Sequence, residues 1–126
     1  MRISACLVVV LFAVLAPHAN AYKKYTYCSV RHNVEHGPIL GTTYFGDVFE
    51  YDTDDYKFPK NEGVIFGQAM TNFVAEKYNI STRELAAGCD FGSKDPTDVK
   101  KTKAEDEQRT RAEHREVVEI GWAYGQ

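Results

Sequence analysis

"TTYFGDVFEY", residues 42–51, is the stretch on which the fold turns. β-Branched and aromatic residues fill it, and such side chains suit a pleated, half-buried surface. It predicts a strand kinked at Gly46, where a missing side chain weakens an otherwise regular run. Upstream, "YKKYTYCSV" (22–30) alternates, with Tyr25, Tyr27 and Ser29 on one face and Thr26, Cys28 and Val30 on the other. Between them "RHNVEHGPILG" (31–41) is rich in turn formers and holds Gly37-Pro38, so the two strands form a hairpin with a long connection.

Downstream, "DTDDYKFPKNEG" (52–63) is an acidic loop that leads into a helix at Asn61. "VIFGQAMTNFVAEKY" sets Phe66, Met70, Phe73, Val74 and Lys77 at helical spacing, a core-facing stripe that stops near Asn79. "ISTRELAAGCDFG" (80–92) holds a third strand around Cys89 and Phe91, between Gly88 and Gly92. In "SKDPTDVKKTKAEDEQRTRAEHRE" (93–116), Asp95 is placed as N-cap, Pro96 at the first helical position and Asp98 in the first turn. Seven basic and seven acidic residues between Lys94 and Glu116, with Glu105/Arg109 and Glu107/Arg111 at i, i+4, describe an exposed helix held along a narrow line. A solvated charged tail is the competing description. It is opposed by "VVEIGWAYG", where Val118, Ile120, Trp122 and Tyr124 alternate as the buried face of a final strand. The order β-β-α-β-α-β predicts an α+β fold: a small, mostly antiparallel four-stranded sheet with two helices on one face and one disulfide.

The first 21 residues carry Arg2, the apolar run "CLVVVLFAVLA" (6–16), Pro17 and a small-x-small site at Ala19-Asn20-Ala21. This is the pattern of a secretory signal peptide, and its apolar run is shorter than the ~18 residues that a membrane span needs. Cleavage after Ala21 leaves residues 22–126 as a single α+β domain with no stable membrane span. Cys6 departs with the signal, so Cys28 and Cys89 remain as an even pair in an oxidising compartment, where they are expected to bridge. The cleaved segment takes one basic residue and no acidic one, which leaves 14 basic against 18 acidic residues and a net charge of −4. That balance disfavours nucleic acid and suits a cationic protein partner.

Cys28, His32 and His36 stand four apart, as zinc ligands on one helical face would. The segment reads as strand and turn, so equal spacing does not make these side chains converge, and neither a metal nor a cofactor is expected. His32, His36 and His114 are candidates for acid/base work in a small secreted hydrolase of nuclease type, since imidazole titrates near neutrality. No nucleophile sits in a recognisable elbow. "GDVFEYDTDDY" (46–56) gathers Asp47, Glu50, Asp52, Asp54 and Asp55 among Phe49, Tyr51 and Tyr56. It lacks the glycine and the terminal glutamate of a calcium loop. Carboxylates rimmed by aromatics read either as a solvated loop or as a recognition surface for a basic partner. "NIS" (79–81) is a glycosylation sequon in a eukaryotic source.

Taken together, the signal peptide, "YTYCS", "TTYFGDVFEY", "GCDF", the charged helix and the closing "GWAY" resemble small exported proteins of Gram-negative bacteria without an assigned activity. The resemblance implies a periplasmic or secreted location and a Cys28–Cys89 bridge, and it transfers no catalytic residue. The expected function is protein binding, as an inhibitor or immunity-type protein against a toxin or cell-wall hydrolase. The hydrolase above and a structural envelope protein are the alternatives.

Overall fold

The computed structural model describes residues 22–53 and 61–125; the expected signal peptide (1–21) and Asp54, Asp55 and Tyr56 of the acidic stretch lie outside these. The described chain runs β1 (Tyr22–Thr26), β2 (Cys28–His32), β3 (Thr42–Phe45), β4 (Phe49–Thr53), α1 (Glu62–Tyr78), β5 (Leu85–Cys89), α2 (Pro96–Ala112) and β6 (Glu116–Glu119), with a single-turn 3-10 helix at Thr82–Glu84. It is an α+β fold with mostly antiparallel pairing, two helices and a Cys28–Cys89 disulfide.

Each arm of the expected hairpin is broken in the middle. β1 pairs with β4 from Tyr22↔Thr53 to Thr26↔Phe49, and β2 pairs with β3 from Ser29↔Phe45 to His32↔Thr42. Two residues (27 and 28) separate the ladders on the first arm and three (46–48) on the second. One extra residue opposite a shorter stretch is a bulge, which bends the ribbon and increases its twist. Gly46 N–H still donates to the Cys28 carbonyl at 3.0 Å, whereas Asp47 N–H turns away to the Trp122 carbonyl at 2.7 Å. A Cβ at Gly46 would stand 2.9 Å from that Trp122 oxygen, so the expected kink is a close backbone crossing that excludes any side chain.

The bend divides the strands between a two-stranded sheet, β1-β4, and a four-stranded sheet in the order β5-β2-β3-β6. The segment after β5 follows the same bend: Asp90 N–H donates to the Tyr27 carbonyl at 2.9 Å, and Tyr25 and Ser93 exchange backbone bonds at 2.8 and 3.0 Å. β6 joins β3 in parallel. It begins earlier and ends sooner than the alternation of Val118 to Tyr124 suggests. Ile120 and Trp122 are buried beyond its end, while Tyr124 is exposed.

Every residue of β3 is buried. Neighbouring strand residues point to opposite faces, so Tyr44 and Phe45 need cover on both sides of the sheet. α1 supplies one side through Phe66, Met70 and Val74, which pack with Val30 and Tyr44. α2 supplies the other through Val99, which packs with Tyr27 and Phe45. The helices therefore take opposite faces of the sheet, where the sequence suggested one.

Local chemistry explains most element ends. Asp95 accepts from Thr97 N–H at 2.9 Å and caps α2 as expected, and Asn79 closes α1 in the left-handed region at φ 54°. Asn61 precedes α1 without a side-chain cap bond; Glu62 instead accepts from Thr53 Oγ1 at 2.8 Å. Of the expected α1 stripe, Phe73 and Lys77 are exposed, with the Lys77 ammonium 5.7 Å from the Phe73 ring centroid. Glu107 and Arg111 approach to 3.8 Å, but Arg109 pairs with Asp106 rather than Glu105. Only Val99 and Thr110 of α2 are buried, the narrow line that a charged helix permits.

Replacing both Cys28 and Cys89 by Ser is expected to cost about 4 kcal/mol, because the bridge spans 61 residues and constrains the unfolded chain accordingly. Gly46→Ala should cost about 1–3 kcal/mol by forcing apart the crossing with Trp122. Urea unfolding of oxidised protein, followed by circular dichroism, measures both.

Candidate functional site

A sheet edge exposes unpaired backbone groups, and proteins usually blunt such edges with charge. β4 carries exposed Glu50 and Asp52, and β6 carries exposed Glu116 and Glu119. β5, the other edge of the four-stranded sheet, is Leu-Ala-Ala-Gly-Cys without a charge, and its Ala86, Ala87 and Gly88 are exposed.

The pairing of β5 shows which of its groups are free. Asp90 donates to the Tyr27 carbonyl, and the register places Cys89 opposite Cys28, with a Cα–Cα distance of 4.0 Å. Hydrogen-bonded and non-hydrogen-bonded pairs alternate in an antiparallel ladder. Ala86 and Gly88 therefore turn their amides toward β2, while Ala87 and Cys89 turn theirs outward. Neither outward amide has a backbone partner among the described residues. Leu85 N–H is bound to the Thr82 carbonyl of the preceding 3-10 turn, so the open run begins after it.

A cleft flanks β5 on each side. Between β5 and α1 lies an open groove of about 760 Å³, floored by Ala87 and walled by Gly63, Gly67 and Gln68 of α1. Small residues let the helix approach: a Cβ at Gly67 would touch the Ala87 methyl at 3.4 Å. Val64 and Phe91 stand on the groove at 72% and 78% exposure, unusually open for large apolar side chains. Arg83 also lines the groove, and its side chain has no ion pair among the described residues.

On the α2 side lies a polar cleft of about 440 Å³ containing Ser29, Arg31, Thr102, Asp106 and Arg109. Tyr27 Oη donates to Asp106 at 2.9 Å, and Arg109 donates to the other Asp106 oxygen at 3.0 Å. Burial first, and then that hydrogen bond, push the Tyr27 phenol far above its ordinary range, so it serves as a fixed donor. Arg31 is exposed and has no hydrogen bond or ion pair among the described residues. Phe91 and residues 87–90 line both clefts, so β5 is the ridge between an apolar groove and a polar one that holds Arg31 and Arg109 with Asp90 and Asp106.

The residues singled out from the sequence are dispersed. Phe49 and Tyr51 lie in the core, edge-on to Phe66 at 5.0 and 5.2 Å, and are not surface anchors. Glu50 is engaged by Lys23 at 3.3 Å and by Tyr25 Oη at 2.9 Å, while Asp47 and Asp52 are exposed. His32 Nε2 is 3.9 Å from Glu84 and has no hydrogen-bond partner among the described residues. His36 sits in the turn that bridges to Ile39, and His114 is exposed just past α2 at φ 61°. No contact joins any two of these histidines, and no cluster of three or more His, Cys, Asp or Glu among the described residues could hold a metal ion. Cys28 is committed to the disulfide.

Sequence reasoning missed a carboxyl pair between α2 and β6. Lys103 Nζ lies 3.0 Å from Glu119 and 3.7 Å from Glu107, and Arg111 lies 3.8 Å from Glu107. Burial and the Glu119 carboxylate together push Glu107 up to about 7, despite Lys103 and Arg111. Burial would also raise Glu119, but hydrogen bonds from Glu107 and Lys103 outweigh it and hold it below the usual carboxylate range. The pair thus shares one proton near neutrality. No protein-family model, curated protein or solved structure matches the chain.

Folded Glu107 retains a proton that an unfolded glutamate has released. The stability this confers is full below the ordinary value of 4.5 and is lost as pH rises through about 7. Glu107→Gln should remove that decline and leave the variant on the order of 1 kcal/mol more stable than the parent at pH 8. Thermal unfolding between pH 5 and 8 tests it.

Proposed function

We propose that this is an exported, disulfide-bridged binding domain that holds an extended segment of another protein by strand addition along β5. The observation that carries this is the uncharged, exposed β5 edge, with outward amides at Ala87 and Cys89 between two clefts. Strand addition draws affinity from backbone hydrogen bonds and specificity from pockets that take alternate side chains. Exposed Val64 and Phe91 give an incoming strand apolar anchorage.

Export is supported by Arg2, the apolar run 6–16 and the Ala19-Asn20-Ala21 site, together with a disulfide of the kind that persists in oxidising compartments. Among the described residues no helix is long and apolar enough to cross a membrane. A periplasmic or secreted inhibitor or immunity-type protein, acting on a toxin or cell-wall hydrolase, fits a small domain with a preformed edge. Among the described residues, an acidic recognition surface for a basic partner would rest on Asp47 and Asp52, because the aromatic anchors Phe49 and Tyr51 are buried.

Site-specific photo-crosslinking separates the two surfaces. With a benzophenone side chain at Gln68 or at Asp52, oxidised protein is exposed to the envelope fraction of its source. Crosslinking from Gln68 and not from Asp52 is expected; crosslinking from Asp52 alone would return recognition to the acidic surface, and none from either would sink a binding role. Val64→Lys combined with Phe91→Lys should weaken the crosslinked complex at least about tenfold, as loss of central apolar anchors does, with the melting temperature unchanged.

A further inference from the structure

The geometry points to a ligand strand whose side chains alternate in chemistry: aliphatic residues into the α1 groove and carboxylates over the α2 side, where Arg31 meets them. This rests on strand addition at β5 and names the kind of segment that the edge would take.

An added strand presents side chains alternately to the two faces. On the α1 face they would stand beside Ala87 and meet Val64 and the glycine-lined wall of α1, an environment for modest aliphatic groups. On the α2 face they would stand beside Ala86 and Gly88. Arg31 is directly opposite Ala86 on β2, so its side chain shares that face. Two strand spacings, about 9.5 Å, separate β2 from an added strand. An arginine and a glutamate span that distance between them, and Ala86 and Gly88 offer no bulk to stop them. Of the two aspartates in the cleft, Asp106 is occupied by Tyr27 and Arg109 and Asp90 accepts from Gly92 N–H at 3.0 Å, whereas Arg31 has no counter-ion among the described residues. On an otherwise acidic protein, Arg31 is a cation that a ligand carboxylate can reach from this edge.

A second copy of the chain is a poorer occupant. Symmetric antiparallel pairing centred on Ala87 would set Glu84 of one copy opposite Asp90 of the other, and like charges directly opposed destabilise a ladder. A segment from a different protein, acidic on one face, suffers no such conflict.

The test uses two eight-residue peptides, acetylated and amidated, one alternating valine with glutamate and the other valine with lysine. Binding is followed by fluorescence anisotropy and by hydrogen exchange at the Ala87 and Cys89 amides of the oxidised protein. The glutamate peptide should protect both amides and bind about fivefold tighter than the lysine peptide, the effect expected of solvent-exposed ion pairs. Arg31→Glu should reverse the order. Equal binding of both peptides with protected amides would overturn the acidic preference and leave strand addition standing. Protection by neither peptide would overturn strand addition itself. Protection that grows with protein concentration in the absence of peptide would show that a second copy fills the edge, and would overturn the proposal.

Discussion

The cross-link between Cys28 and Cys89 holds the point where three segments change direction together. Cys28 is the first residue of β2 after the break at Tyr27, and Cys89 is the last residue of β5 before its continuation toward Ser93. Because they face one another in a non-hydrogen-bonded pair, the bridge fixes the β2–β5 register where the bend would otherwise let it slip. β2 is also paired to β3, so the same bond indirectly orients the floor on which α1 rests. A domain of about one hundred residues buries a limited core, and a bond that restrains its unfolded chain carries correspondingly more weight.

With that register fixed, the uncharged character of β5 follows. Leu85 and Cys89 pack against the core and Ala87 floors a glycine-lined groove, while Ala86 and Gly88 face the polar side with almost no side chain. A larger residue at position 87 would press on Gly67, and a charge there would sit against α1. Packing keeps β5 small, and smallness leaves its backbone open. β4 and β6, at other sheet margins, answer to water and carry glutamate or aspartate.

Much of this architecture was legible in the residues. Alternation placed Cys28 with Val30 on an apolar face, the capping residues of α2 announced its start, and an even cysteine pair announced the bridge. The sheet's division was not legible, because "TTYFGDVFEY" looks like one strand unless the extra residue opposite Tyr27 and Cys28 is known, and that count depends on pairing. The run Thr42-Thr43-Tyr44-Phe45 held the clue that both faces are covered, since a strand with one solvated face would alternate with charged residues, and all four are buried. The aromatics at 49 and 51 misled for the opposite reason: alternation with Glu50 and Asp52 marks a strand with one buried face as readily as a decorated loop. The β5 edge escaped notice because alanine and glycine carry no chemical signature; only their position at a sheet margin gives them meaning.

β6 has a consequence for when the fold can form. Thr42 pairs with Glu116 and Phe45 with Glu119, and the Trp122 carbonyl receives the amide of Asp47. The central strand therefore waits for residues made long after it, and until they arrive Phe45 and the bulge lack their neighbours. Contacts so distant along the chain form slowly, because the intervening loop must close first. Synthesis would run nearly to residue 122 before the four-stranded sheet is complete, which leaves the central strand open on one side for most of the chain's elongation.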